Sequence, residues 1–238
     1  MVETDDETRA IDVSNLIFDW PGRRFGLDVP QFQVKSGETF LLLGESGSGK
    51  STLLSLICGI ITPAQGSVVI GGQDLARLTG ARRDRFRAEG IGIIFQMFNL
   101  LPYATALDNI LLPLRFAPAR RARVAGPASE ALDLCAALGL PAHLVSNAPA
   151  STLSVGQQQR VAVARAMIGA PSLVVADEPT SALDADTQGE FLDLLFEQAR
   201  QAGSTLLMVS HDTRLAARFD RVADLGDVAH RRHQEATA

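Results

Sequence analysis

Cysteine and histidine are scarce in this chain, and each scarcity removes a class of protein. Only two cysteines, Cys58 and Cys135, occur in 238 residues. Both lie in apolar segments, so they read as buried free thiols in a reducing compartment rather than a disulfide framework. The four histidines, His143, His211, His230 and His233, never pair with cysteine at zinc spacing. No apolar run approaches the roughly 18 residues that a membrane span needs. The N-terminus, MVETDDETRA, is acidic and carries no apolar core, so it does not read as a secretory signal. Positive charge is not in excess either: a net charge of −5 leaves no whole-chain footprint for nucleic acid. The expectation is a cytosolic protein; if it works at a membrane, another chain must supply the span. The content of 46% hydrophobic and 21% charged residues is that of a globular protein. The length allows one large domain or two small ones.

Residues 11–43 alternate apolar and polar, with turn signals at Pro21-Gly22 and Ser36-Gly37, and end in FLLLG. This predicts short antiparallel strands followed by a buried strand. A helix is expected over 50–60, a strand at GSVVIGG closed by a glycine turn, and a buried strand at IGIIFQ. From Met97 to about Thr152, prolines at 102, 113, 118, 127, 141 and 149 punctuate short helical pieces, as in an inserted helical lobe. SLVVADEP and TLLMVSHD are buried strands separated by a helix over about 187–202. Such alternation predicts an α/β fold with a mostly parallel sheet covered on both faces. HRRHQEATA reads as a frayed tail.

GESGSGKS, residues 44–51, fits G-x-x-x-x-G-K-[ST] and stands between an expected strand and an expected helix, the context that motif requires. Gly44, Gly47 and Gly49 let the backbone curl so that successive N–H groups point at phosphate oxygens. The helix that follows adds its positive end. Lys50 brings a charge to the β and γ phosphates, and Ser51 offers a hydroxyl to Mg²⁺. The loop residues Glu45, Ser46, Ser48 and Thr52 complete the expected nucleotide contact.

LVVADEPT supplies carboxylates at a strand's C-terminal end, where ligands of parallel α/β sheets bind. Adjacent acids take different roles: Asp177 is expected to hold Mg²⁺, directly or through water, and Glu178 to accept a proton from the attacking water. DADTQG, residues 184–189, resembles the start of a calcium loop. That loop needs a glutamate at its twelfth position, where this chain has Leu195.

A bare phosphate loop does not require LSVGQQQR, residues 153–160. LSVGQQQRVAVARAM followed by VVADEPTSALD resembles the signature, Walker B and D-loop run of ATP-binding cassette (ABC) ATPases. The resemblance runs from about Val13 to Gly226, with GESGSGKS as Walker A, IIFQ bringing the Q-loop glutamine Gln96, Ser181–Asp184 as D-loop, and VSHD bringing the switch histidine His211. It implies a P-loop NTPase (RecA-like) parallel-sheet core, an N-terminal antiparallel β subdomain and an inserted helical subdomain. It implies a single cassette, with residues 9–97 and 156–230 as nucleotide-binding core, 98–155 as helical signature lobe and 231–238 as tail. It further implies ATP and Mg²⁺ as cofactors and a second copy as partner, packed head to tail. Ser154, Gly156 and Gln157 would then meet the γ-phosphate held by the other subunit, across the positive end of the helix they open. On that reading the run is polar because half its site is on another molecule. Gln96 would sense Mg²⁺ and the γ-phosphate, and His211 would contact the γ-phosphate. Trp20 matches the position of the adenine-stacking aromatic, with Phe18 next in line. Val155 departs from the family's usual glycine. Glycine permits unusual backbone angles and close approach, and a β-branched residue restricts both.

MFNLLPYATALDNILLPL, directly after Gln96, is similar to the ATPases of lipoprotein-release and macrolide-export systems. A C-terminal regulatory domain like that of sugar and methionine importers is not expected, which favours the exporter-like branch. The implied role is to power a membrane permease from the cytoplasmic face of the inner membrane, as an exporter or a transmitter of mechanical motion. Its cargo would be lipoprotein, peptide or drug-like. An importer ATPase and a soluble iron–sulfur assembly ATPase are the alternatives, and nucleic acid is not expected as a partner. Met97, Phe98, Leu100 and Leu101 admit two readings: lobe core, or a groove that receives a helix of the permease.

Overall fold

Alternation of apolar and polar residues builds the first strands, but the alternation slips. In strand β1 (Arg9–Asp19) the large buried side chains are Ile11 and Val13, then Leu16 and Phe18. The shift falls at Asn15, a left-handed residue (φ 48°), where the pairing with the neighbouring strand also shifts register. This bulge keeps all four side chains on one face. The computed structural model describes residues 8–22, 25–181 and 185–232.

Along the chain there follow β2 (Gly26–Lys35), β3 (Thr39–Leu43), α1 (Lys50–Ile57), β4 (Gln65–Ile70), β5 (Gln73–Asp74), α2 (Gly80–Gly90) and β6 (Ile91–Ile94). Short helices come next: α3 (Ala106–Leu111), α4 (Pro118–Ala122), α5 (Pro127–Ala137) and α6 (Ala142–Asn147). The chain continues with α7 (Val155–Met167), β7 (Leu173–Asp177), α8 (Ala185–Gln201), β8 (Thr205–Ser210), β9 (Arg221–Asp224), α9 (Leu225–Val228) and β10 (His230–Arg232). These elements form two compact units: one holds the chain up to Asp84 and from Leu207 onward, the other Arg85–Leu206.

The first unit contains an antiparallel sheet in the order β10-β2-β1-β4-β5. Its buried face is Ile11, Val13, Leu16, Leu27, Val29, Phe32, Val34 and Val68. The first residues of the stretch expected to fray, His230–Arg232, are strand β10 and pair with Gly26–Asp28. In the same unit β3 pairs parallel with β9. Asp220 fixes that register, because its carboxylate accepts from Thr39 N (2.8 Å) and Thr39 Oγ1 (2.7 Å). At the end of β8, Gly44 N donates to Ser210 O.

In the second unit β6 pairs parallel with β7, and β7 is buried along LVVA, as a strand covered on both faces must be. Thr205 N donates to Ser172 O, which sets the start of β8 beside β7. Helix α7 presses on β6 at Gly92, where any Cβ would lie 2.3 Å from Ala166 O. Two buried polar side chains tie the helical pieces together. Asn109 accepts from Leu101 N and donates to Leu101 O and Thr105 O. Arg120 donates to four backbone carbonyls, those of Ala88, Ile91, Ala166 and Ile168. Burial and the nearby Arg123 lower its pKa to about 10, and the four carbonyls meet the charge that remains.

Candidate active site

The phosphate loop leaves β3 and turns into α1. Gly47 (φ 72°) and Gly49 (φ 113°) are left-handed, which a side-chain-bearing residue adopts only at a cost. Gly49 is also the N-cap of α1 and has no side chain to satisfy the first-turn N–H groups. Those donors therefore face the loop, where an anion fits. Ser48 Oγ is buried there and makes no hydrogen bond. A Cβ at Gly44 would come within 3.0 Å of that oxygen. The loop thus leads into a helix start with no side-chain cap, which suits a phosphate chain.

Lys50 is buried at 4% exposure, and its ammonium donates to Gly44 O (2.7 Å) and Glu45 O (2.9 Å). The charge is thereby held against the loop it serves. Glu45, Ser46 and Gly47 are exposed at the loop's crest, and Ser51 is exposed on the first turn of α1. Thr52 Oγ1 accepts from Trp20 Nε1 (3.3 Å), so the indole is anchored to the helix that carries the loop. Trp20 also packs edge-on against Phe18, with ring centroids 5.2 Å apart. Phe18 is only 7% exposed and belongs to the core, which leaves Trp20 as the aromatic with an accessible face. His211 is exposed one residue after Ser210, whose carbonyl holds Gly44 N.

The remaining candidates lie in the second unit. Gln96 is exposed just past β6. Asp177 ends β7, and Glu178 follows with φ 44°, a left-handed conformation that is costly for a residue with a Cβ. Ser181 N donates to Glu178 O (3.2 Å) and closes the turn. Of the D-loop, Ser181 is described; Ala182, Leu183 and Asp184 lie outside the described residues. Among the described residues no cluster of three or more His, Cys, Asp or Glu forms a metal cage.

The signature run is held more locally than its polarity implies. Ser154 caps α7: Gln157 N donates to Ser154 Oγ (3.3 Å) and Ser154 N to Gln157 Oε1 (2.9 Å). This is a reciprocal capping box. Gln158 donates to Leu153 O (2.9 Å) and Gln159 to Pro179 O (2.5 Å). Each glutamine therefore has a partner within its own chain, and a second molecule is not needed to account for the run. The Ser-x-x-Gln spacing of the box is visible in the sequence. The carbonyls that Gln158 and Gln159 reach are not. Val155 is the first helical residue of α7 and is 52% exposed, so no unusual backbone angle is asked of it. A Cβ at Gly156 would meet nothing within 4 Å.

A family model for ABC transporters matches residues 27–181, well over half the chain. An ABC transporter ATP-binding protein of Mycobacterium tuberculosis, in strains CDC 1551 / Oshkosh and ATCC 25618 / H37Rv, is 45% identical over 203 residues, covering 85% of this chain and 80% of that one. The dimeric, post-hydrolysis structure of the ATP-binding cassette MJ0796 bound to ADP and phosphate is similar with a TM-score of 0.79 and 33% identity, over 90% of this chain and 93% of that one. The structure of cbiO1 from Clostridium perfringens, part of the ABC transporter complex cbiONQ, gives 0.77 and 25% identity over 92% and 85%. The chain belongs to the ABC transporter family, as its ATP-binding cassette. It is an α/β P-loop ATPase that binds ATP with Mg²⁺ and hydrolyses it in the service of transport.

Proposed function

We propose that this chain works as a head-to-tail pair that closes on two ATP and drives a membrane permease from the cytoplasmic face. The observation that carries this reading is α7. Its N-terminus presents Ser154, Val155 and Gly156 outward, with a capped first turn and open space at Gly156, although no phosphate loop lies on that stretch of chain. A positive helix end without a phosphate loop of its own fits a phosphate brought by a second copy. The dimeric form of the MJ0796 cassette supports the pairing. The FNLLP stretch after Gln96 supports an exporter or mechanical-transmission branch acting on lipoprotein, peptide or drug-like cargo.

In this reading the loop N–H groups of residues 44–51 and Lys50 orient the triphosphate, and Trp20 lies against the adenine. Ser51, Gln96 and Asp177 would hold Mg²⁺, which would supply positive charge to offset that of the phosphates. Glu178 accepts a proton as water attacks the γ-phosphorus, and the bond to the β-phosphate oxygen breaks to release ADP. His211 helps to place the water.

Two variants test it. Lys50→Ala should lose hydrolysis and bind ATP weakly, since the charge facing the β and γ phosphates is gone. Glu178→Gln should keep ATP binding and slow hydrolysis roughly 10²–10⁴-fold, the range for a lost general base. Hydrolysis at the wild-type rate by either protein would sink the assignment.

A further inference from the structure

The left-handed backbone at Glu178 needs something to hold it. Non-glycine residues persist in that conformation only where their surroundings over-determine them. Among the described residues five do so: Asn15, Phe98, Asn99, Ala170 and Glu178. Three of the five lie in two segments that α7 grips. Near its C-terminal end, Arg165 donates through Nη2 to Phe98 O (2.5 Å) and through Nη1 to Asn99 O (2.7 Å). In its second turn Gln159, 1% exposed, donates through Nε2 to Pro179 O (2.5 Å), the carbonyl that follows Glu178. The far side of the same turn is held by Gln188 of α8, which donates to Thr180 Oγ1 (3.0 Å).

Both grips on the glutamate's turn are buried amides, where an apolar side chain would pack as well. What an amide adds is direction: it fixes where a carbonyl points, and so how the peptide before it is turned. Pro179 has no N–H with which to fix itself. We infer that Gln159 is a positioning residue, which orients the turn carrying Glu178 so that its carboxylate meets the attacking water. The inference rests on reading Glu178 as the general base. It gives α7 a second task. Gln159 stands five residues, or about 7.5 Å of helix, from Ser154. A phosphate arriving at the helix start therefore acts on a rod already bonded beside its own chain's glutamate.

The test is single-turnover ATP hydrolysis by the full chain, with Gln159→Met made in the wild-type and Glu178→Gln backgrounds and ATP affinity measured alongside. Methionine keeps the length and volume and cannot donate. The expected result is an ATP affinity within about twofold of wild type and a rate down roughly 10- to 100-fold, the scale of an ångström-sized misplacement. In the Glu178→Gln background the same substitution should cause no further fall. A normal rate for Gln159→Met beside a slow Glu178→Gln overturns the inference alone. So does an equal loss in both backgrounds, which marks a purely structural residue. A fast Glu178→Gln overturns the reading of Glu178 and the inference with it. Should Gln159→Met fail to fold, Gln159→Asn, which keeps the amide but falls a methylene short of the carbonyl, is read by the same criteria.

Discussion

Phe98 decides between the two readings of the apolar cluster after Gln96. It is 9% exposed in the isolated chain, whereas its neighbour Met97 is 82% exposed and Tyr103 79%. Phe98 is lobe core, and any docking surface here is made by Met97 and Tyr103. Phe98→Glu should therefore destabilise the isolated subunit by at least the roughly 3–5 kcal/mol of emptying a buried phenylalanine site. That lowers Tm by roughly 10 °C or more in a chain of this size. Met97→Glu should leave Tm within about 2 °C of wild type, since an exposed substitution shifts stability by roughly ±0.5 kcal/mol. It should reduce co-purification with the permease; unchanged co-purification would remove Met97 from the docking surface. Val155→Gly belongs at this scale too. The residue is helical and exposed, so the variant should fold and hydrolyse ATP, with a small loss of stability from the glycine, about 1 kcal/mol at most. A folded but inactive variant would show that Val155 has a contact of its own. The motifs that propose the site residues were legible because they rest on local spacing: Gly44 to Ser51, Asp177-Glu178, Ser154 to Gln157. Gln159 and Arg165 were not, because each bonds a carbonyl far along the chain, and no local spacing encodes a backbone partner.

Elements with one apolar face were legible, and those without were not. β1, β2, β7 and β8 announce themselves by alternation or by unbroken apolar runs. Helix α2 buries no residue at all and so leaves no periodic trace. β10 has three residues, and β5 two, too few to show a period. The parallel pair β3 and β9 carries a pH dependence. Thr39 donates to Asp220 from its backbone N–H and from its hydroxyl, and these bonds hold the carboxyl below its ordinary 3.8. A native pKa below the unfolded one stabilises wherever the carboxylate is ionised in both states. The contribution is whole above about pH 4 and fades as the pH falls through the lower native value. Asp220→Asn should thus lower Tm at pH 7, by at most about 3 °C for so exposed a group, and the difference from wild type should close in acid. A gap that persists at pH 2 would show that the carboxylate charge is not its source.

For the whole molecule, the sharpest expectation concerns mass. Glu178→Gln with ATP and Mg²⁺ should sediment at twice the 25.4 kDa of one chain and return to the single-chain value once ATP is removed. A single-chain mass under conditions where ATP is bound would exclude a nucleotide-closed pair. None of the helices among the described residues is long and apolar enough to cross a membrane; on the proposed function a permease would attach through surfaces such as that at Met97. The antiparallel sheet bears on how such attachment takes place. Among the described residues, β10 covers the sheet's strand β2 over Gly26–Asp28 only. Beyond that, Pro30 lacks an N–H, Arg221 donates to Gln33 O, and Lys35 ends the strand with a charge. Proline, a bound carbonyl and a lysine each spoil a template for strand addition. That stretch of β2 is thereby a poor template for a strand of another copy, and contact made there is left to side chains.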